Sequence, residues 1–189
     1  MTADITLHAL GAALSQADLA SLSALLIDCV EGGASVGFML PLLITRAEDF
    51  WRQKAAQAAC GDHAILVARD AGGAIIGTVQ MVLAQPDNQP HRGDIIKLLL
   101  HRSARRLGVG EALMRAAQTL AVEAGKTMLV LDTSTGSDAE RLYTRLGWQQ
   151  AGGIPDYALF PDGRLTATTV YYLPLTSVAQ HAPATGAGR

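Results

Sequence analysis

With 189 residues, 49% of them hydrophobic and 17% charged, the chain is long enough to bury a core and too apolar to be disordered. A net charge of −2 supplies no basic field for nucleic acid, and no apolar run approaches the ~20 residues of a membrane helix. Residues 1–14 lack the pattern of a signal peptide, and Cys29 and Cys60 stand alone, so the expectation is a cytoplasmic protein with free thiols.

Ile5 to Leu7 reads as a short first strand. Ser15-Gln16-Ala17-Asp18 then opens a helix with Leu19, Leu22, Leu25, Leu26 and Cys29 on one face, broken by Glu31-Gly32-Gly33-Ala34. The apolar stretch from Val36 to Ile44 has no clear period. Thr45-Arg46-Ala47-Glu48 has capping-box spacing and starts a second helix that ends before Gly61. His63 to Arg69 and Ala74 to Leu83 are β-rich runs joined at Asp70-Ala71-Gly72-Gly73, a hairpin signal, and Gln85 to Gly93 reads as a polar loop.

Ile95 to Leu100 is a strand with almost no polar alternation, as expected of one covered on both faces. Next come a basic turn and two glycines, Arg105-Arg106-Leu107-Gly108-Val109-Gly110, and an amphipathic helix stopped by Gly125. Met128 to Leu131 is another apolar strand, and Ser137-Asp138-Ala139-Glu140 starts a short helix ending at Gly147. Trp148 to Ile154 and Thr168 to Leu173 look like a closing pair about the turn Pro161-Asp162-Gly163. The chain is thus expected to be a single domain over 1–175, with a frayed tail from Thr176 to Arg189.

Chemistry concentrates at the basic turn. Glycines let backbone N–H groups approach a ligand, a helix N-terminus carries unpaired donors and partial positive charge, and two arginines add full charge. That combination suits a phosphate or pyrophosphate. A Walker loop is excluded, since no Gly-Lys-Ser/Thr follows. A dinucleotide turn competes, because Gly108 and Gly110 are followed about 20 residues later by Asp132 at a strand end. Against it stand Leu113 at the third glycine position and the gap from His101 to Leu107 between strand and first glycine. The blandest alternative is a helix start whose glycines only permit tight packing.

Leu98-x-Leu100-His101-x4-Arg105-x-x-Gly108-x-Gly110-x-Ala112-Leu113-Met114 resembles motif A of the GCN5-related N-acetyltransferases (the GNAT family). Ala139-x-x-Leu142-Tyr143-x-x-Leu146-Gly147-Trp148 resembles a second segment of that family, and the element order agrees from Ile5 to Leu175. The resemblance implies an α+β fold: a mixed, mostly antiparallel central sheet, splayed between its fourth and fifth strands and flanked by helices. It implies acetyl-CoA as acyl-donor cosubstrate, its pyrophosphate resting on N–H groups of the turn: Arg105, Arg106, Leu107, Gly108, Val109, Gly110 and Glu111. The pantetheine arm would pair with the backbone of Leu98 and Leu100 like an added strand, and an N–H near Leu100 would stabilise the thioester oxyanion.

By the same resemblance Tyr143 protonates the departing thiolate; its alternative role is packing against Leu142 and Leu146. Many members carry Asn seven residues before that tyrosine, where this chain has Gly136, so that pantetheine contact is expected to be absent or replaced by Ser137 or Thr135. For the general base the candidates are Asp132, Asp94, Glu31 and Asp156, or water. Asp132 is singled out because its strand end faces the splay, against the alternative that it orders the following turn. His101 suits loop ordering or a phosphate contact, and the scattered histidines imply no metal.

Ile154 to Gly163 and Gly33 to Phe38 resemble, more loosely, small-molecule acetyltransferases of the tabtoxin-resistance type. The acceptor expected there is a small-molecule amine, with Asp156 for its ammonium and Phe38 and Tyr157 for its body. A non-catalytic acyl-CoA binder and a nucleotide-cofactor oxidoreductase are the alternatives. Neither nucleic acid nor membrane is expected as a partner, and the chain is expected as monomer or homodimer.

Overall fold

Helices form where the apolar spacing predicts them. The computed structural model describes residues 5–11 and 13–175; the tail expected from Thr176 lies outside the described residues. Helix α1 (Gln16–Glu31) starts at Ser15, whose side chain accepts from the Asp18 N–H, and it buries Leu19, Leu22, Leu25, Leu26, Cys29 and Val30. Helix α2 (Ile44–Ala59) begins one residue before the expected box. Its N-cap is Leu43, with no side-chain cap, and Glu48 instead bonds Arg52 one turn on. The box at Thr45 fails because the chain is already helical there, so its hydroxyl has no free cap position to fill.

Strand β1 (Thr6–Ala9) lies slightly later than expected, because its register is set by pairing with β2 (His63–Arg69). Strands β2 and β3 (Ile75–Val82) form the expected hairpin, in which the Asp70 carboxylate accepts from the N–H groups of Gly72 and Ala74. Strand β4 (Arg92–Leu100) starts earlier than its apolar run, shortening the preceding loop. After a 3-10 turn at Arg102–Ala104 come α3 (Val109–Glu123), β5 (Met128–Ser134), α4 (Asp138–Arg145), β6 (Gln149–Leu159) and β7 (Leu165–Pro174).

The strands form one sheet in the order β1-β2-β3-β4-β5-β7-β6, antiparallel throughout except for β4 and β5. Those two pair only through Arg92, Gly93 and Asp94 against Met128, Leu129 and Val130. Beyond that they diverge, so the fold has the expected splay between its fourth and fifth strands. Each face of the sheet carries its own core. Leu66, Val79, Met81, Ile95, Leu129 and Leu131 pack with α3 and α4, while Ile65, Val67, Ile75 and Leu99 pack with α1 and α2. No described helix is long and apolar enough to cross a membrane.

The change of face along β4, from Ile95 to Leu99, has a local cause. Register with β3 slips between Thr78 and Gln80, so Lys97 and Leu98 together stand opposite Val79. Lys97 takes a left-handed backbone, φ 53°, which a non-glycine residue rarely adopts.

Candidate active site

Where β4 and β5 part, the facing edges of residues 95–100 and 131–134 have no partner strand. A cavity of about 250 Å³ opens there, lined from β4 by Ile95 to Leu98, from β5 by Asp132 to Ser134, and from α4 by Ala139 and Tyr143. Gly33 to Val36, from the α1–α2 junction, and Phe160, from the β6–β7 hairpin, complete it. A second cavity of about 290 Å³ adjoins it at Ile95, Ile96 and Asp132 and runs on past Arg92, Asp94, Ile154 and Tyr157. The two loops over the splay are tied together. Ser35 Oγ donates to the Leu159 carbonyl at 2.8 Å, and the Leu40 N–H to the Pro161 carbonyl at 3.1 Å.

Tyr143 is the one buried residue of α4, 4% exposed, its ring 6.0 Å from that of Trp148 and 5.8 Å from that of Tyr171. Those rings fix the phenol at the cavity wall. Burial, with lesser contributions from Asp132 and Tyr171, pushes its pKa well above the usual phenol value, so it carries its proton at any physiological pH. Asp132, on β5, lines both cavities, and its carboxylate accepts from Thr168 Oγ1 at 2.8 Å. Asp94, at the last paired position of β4, is held by Arg92, with Gln85 alongside. Glu31 ends α1 on the surface.

The turn into α3 is exposed from Arg105 to Gly108. Arg106 and Gly108 are both left-handed, φ 61° and 82°, and α3 has no side-chain cap. Alternating backbone of this kind turns successive N–H groups toward one side and makes an anion-binding concavity. Nothing lies within 4 Å of where a Cβ on Gly108 would stand. Gly110 does different work, since its Cβ would meet Leu100 at 3.1 Å and Leu142 at 3.3 Å. Val109 and Gly110 are buried, Leu107 is exposed, and Glu111 pairs with Arg115 along the helix.

The two arginines point apart. Arg106 reaches toward Asp138 of α4 at 3.9 Å, while the Arg105 guanidinium lies 3.4 Å from where a Gly32 Cβ would stand, at the C-terminus of α1. Leu98 lines the cavity, and the Leu100 carbonyl accepts from the Cys29 thiol at 3.5 Å. Gly136 is left-handed, φ 79°, and its N–H is bonded by Glu140. The box expected at Ser137 therefore closes one residue early, and the Ser137 hydroxyl pairs with Thr133 instead.

Of the acceptor residues expected from sequence, Tyr157 lines the second cavity. Asp156 is exposed at a bulge of β6, φ 52°, and lines neither cavity. Phe38 also lines neither cavity: it is 9% exposed and packed edge-on to Phe50 in the α1–α2 core. A ring there gains more by burial against α2 than by facing solvent in the cleft. Phe160 supplies the aromatic wall, and Lys97 supplies a charge that sequence reasoning missed. A lone lysine inside the apolar run Ile95 to Leu100 was the available signal.

The fold, with its sheet splayed between β4 and β5, is that of an acyltransferase architecture, and a family model agrees. The chain belongs to the acetyltransferase (GNAT) family, whose model matches residues 38–148, more than half its length. Among solved structures it is similar to an N-acetyltransferase from Staphylococcus aureus Mu50 (TM-score 0.75, 17% identity, 92% of this chain and 99% of that one). A phosphinothricin acetyltransferase from Sinorhizobium meliloti, in complex with acetyl-CoA, is similar at TM-score 0.74 and 21% identity over 98% and 95% of the two chains. A ribosomal-protein-alanine N-acetyltransferase from Brucella melitensis scores 0.74 at 19% identity over 90% and 99%. At such identities the likeness speaks for the fold, and these neighbours carry different acceptors in their names.

Proposed function

We propose that this chain transfers the acetyl group of acetyl-CoA to the amine of a small molecule in the cytoplasm, with Tyr143 as general acid. The observation that carries this reading is the placement of a buried, protonated phenol beside two unpaired strand edges, one of which leads directly into an anion-binding turn. Acetyl-CoA supplies an activated acyl group as a thioester. The N–H groups from Arg106 to Glu111 hold its pyrophosphate. The free edge of β4 at Leu98 and Leu100 receives the pantetheine amides, and an N–H of that edge steadies the carbonyl oxygen as the amine nitrogen attacks.

As the C–N bond forms and the C–S bond breaks, Tyr143 gives its proton to the sulfur. Asp132, on the same side of the splay, takes the proton that the amine loses, directly or through water. The small volume of the cleft and its roof of tied loops favour a small acceptor over a folded one.

Tyr143→Phe tests the reading. By calorimetry it should bind acetyl-CoA about as well as the wild type, while release of free thiol in the presence of an amine panel falls about 100-fold. Undiminished turnover would remove Tyr143 from the mechanism. Binding of acetyl-CoA without turnover of any amine by the wild type would point to a non-catalytic acyl-CoA binder, and binding of NAD(P) in its place to an oxidoreductase.

A further inference from the structure

Lys97 has no part in the chemistry just described, yet it lines the cleft. It lines the same cavity as Asp132, Tyr143 and Phe160, and its Nζ lies 3.6 Å from where a Cβ on Gly37 would stand. The side chain therefore crosses from β4 toward the α1–α2 junction, on the sheet face where α1 and α2 pack. Its aim is set by the bulge, where the left-handed backbone at Lys97 shifts β4 by one residue against β3. Bulges re-aim side chains and recur beside functional sites, and strained backbone persists only where the surroundings hold it in place.

Among the described residues no carboxylate lies within ion-pairing distance of Lys97, and its ammonium has no hydrogen-bond acceptor. Asp132 faces it across the splay but is bonded to Thr168. Burial, and then the Lys54 charge from α2, lower the lysine pKa, while Asp132 works in the opposite direction. A half-buried cation without a counter-ion costs desolvation energy that a bound anion would return.

We propose that Lys97 is a specificity-determining residue whose ammonium receives a carboxylate carried by the acceptor, so that the enzyme selects amino-acid-like amines. The inference rests on the acetyltransferase reading above. Asp132 and Lys97 then present opposite charges on the two walls of one cleft, and a molecule bearing both an amine and a carboxylate matches them in a single orientation. The amine is delivered to the Tyr143 side of the splay, and the carboxylate is drawn under the loop at Gly37. A neutral amine of the same skeleton leaves Lys97 unpaired and gains no such orientation.

The test is steady-state acetylation of matched sets, each an amino acid, its carboxamide and its decarboxylated amine, by the full chain and by Lys97→Met and Lys97→Arg. The wild type is expected to favour the carboxylate member by about tenfold or more in kcat/KM, carried mainly by KM. Lys97→Met should bring that ratio close to one, and Lys97→Arg should restore part of it, a pattern that a merely structural lysine would not produce. Equal use of all three members by the wild type overturns the proposal, as does a preference that survives in Lys97→Met. Those results leave the acetyltransferase reading standing, whereas acetylation of no amine in the sets removes that reading and the Lys97 proposal together.

Discussion

At the scale of single residues, the two glycines of the turn look alike in sequence and differ in kind. Gly108 stands in open space with φ 82°, so its requirement is conformational. Gly110 is helical and wedged between Leu100 and Leu142, so its requirement is spatial. Gly108→Ala should therefore lower the unfolding free energy in urea by about 1 kcal/mol, with Gly108→Asn milder because asparagine tolerates the left-handed region. Gly110→Val should cost about 2 kcal/mol by overpacking, and asparagine offers no relief there. Equal responses at the two positions would show that the distinction is wrong. The motif revealed both glycines but not this division, which depends on what packs behind the helix. The aim of Lys97 and the packing of Phe38 were not legible for a related reason. A bulge is a property of two strands in register, and the partner of a ring is chosen by the whole core, so neither is written into local spacing.

At the scale of elements, the sequence was most legible where a chemical partner lies within a few residues. Ser15 caps α1 and Asp70 builds its turn as spacing predicts, whereas the boxes at Thr45 and Ser137 give way to a helix that starts earlier and to a bond from Gly136. Contacts between elements were invisible. Asp18, in the first turn of α1, bonds Arg69 at the end of β2, with both side chains largely covered. Burial alone would raise the Asp18 pKa, but the hydrogen bonds from Arg69 and Ser15 and the Arg69 charge outweigh it, and the carboxyl sits below its ordinary 3.8. The unfolded chain therefore takes up this proton at higher pH than the folded one. The stabilisation is complete above 3.8 and is lost as pH falls through the lower folded value. Asp18→Asn should cost about 1–2 kcal/mol at neutral pH, and the stabilities of variant and wild type should converge as the solution is acidified. A gap that stays constant down to the acid transition would mean that Arg69 contributes nothing through charge.

At the scale of the molecule, the order of strands was legible as a family likeness, and the roof over the cleft was not. That roof joins residues 124 positions apart through the Ser35 hydroxyl and the Leu159 carbonyl. Ser35→Ala should loosen it, raising KM for an amine acceptor about fivefold while acetyl-CoA affinity, measured by calorimetry, stays within about twofold. A larger loss of acetyl-CoA affinity than of acceptor affinity would place the roof over the wrong substrate.

The three ladder pairs between β4 and β5 have one more consequence. Among the described residues they are the only strand pairing between residues 6–100, which build β1 to β4, and residues 128–174, which build β5 to β7. The cleft is the seam between two stretches of chain that are each continuous. One wall, with Lys97 and the edge leading toward the turn before α3, belongs to the first; Asp132, Tyr143 and Phe160 belong to the second. Cut anywhere between Leu100 and Met128, the chain would give two pieces that each hold one wall of the cleft and neither the cleft itself.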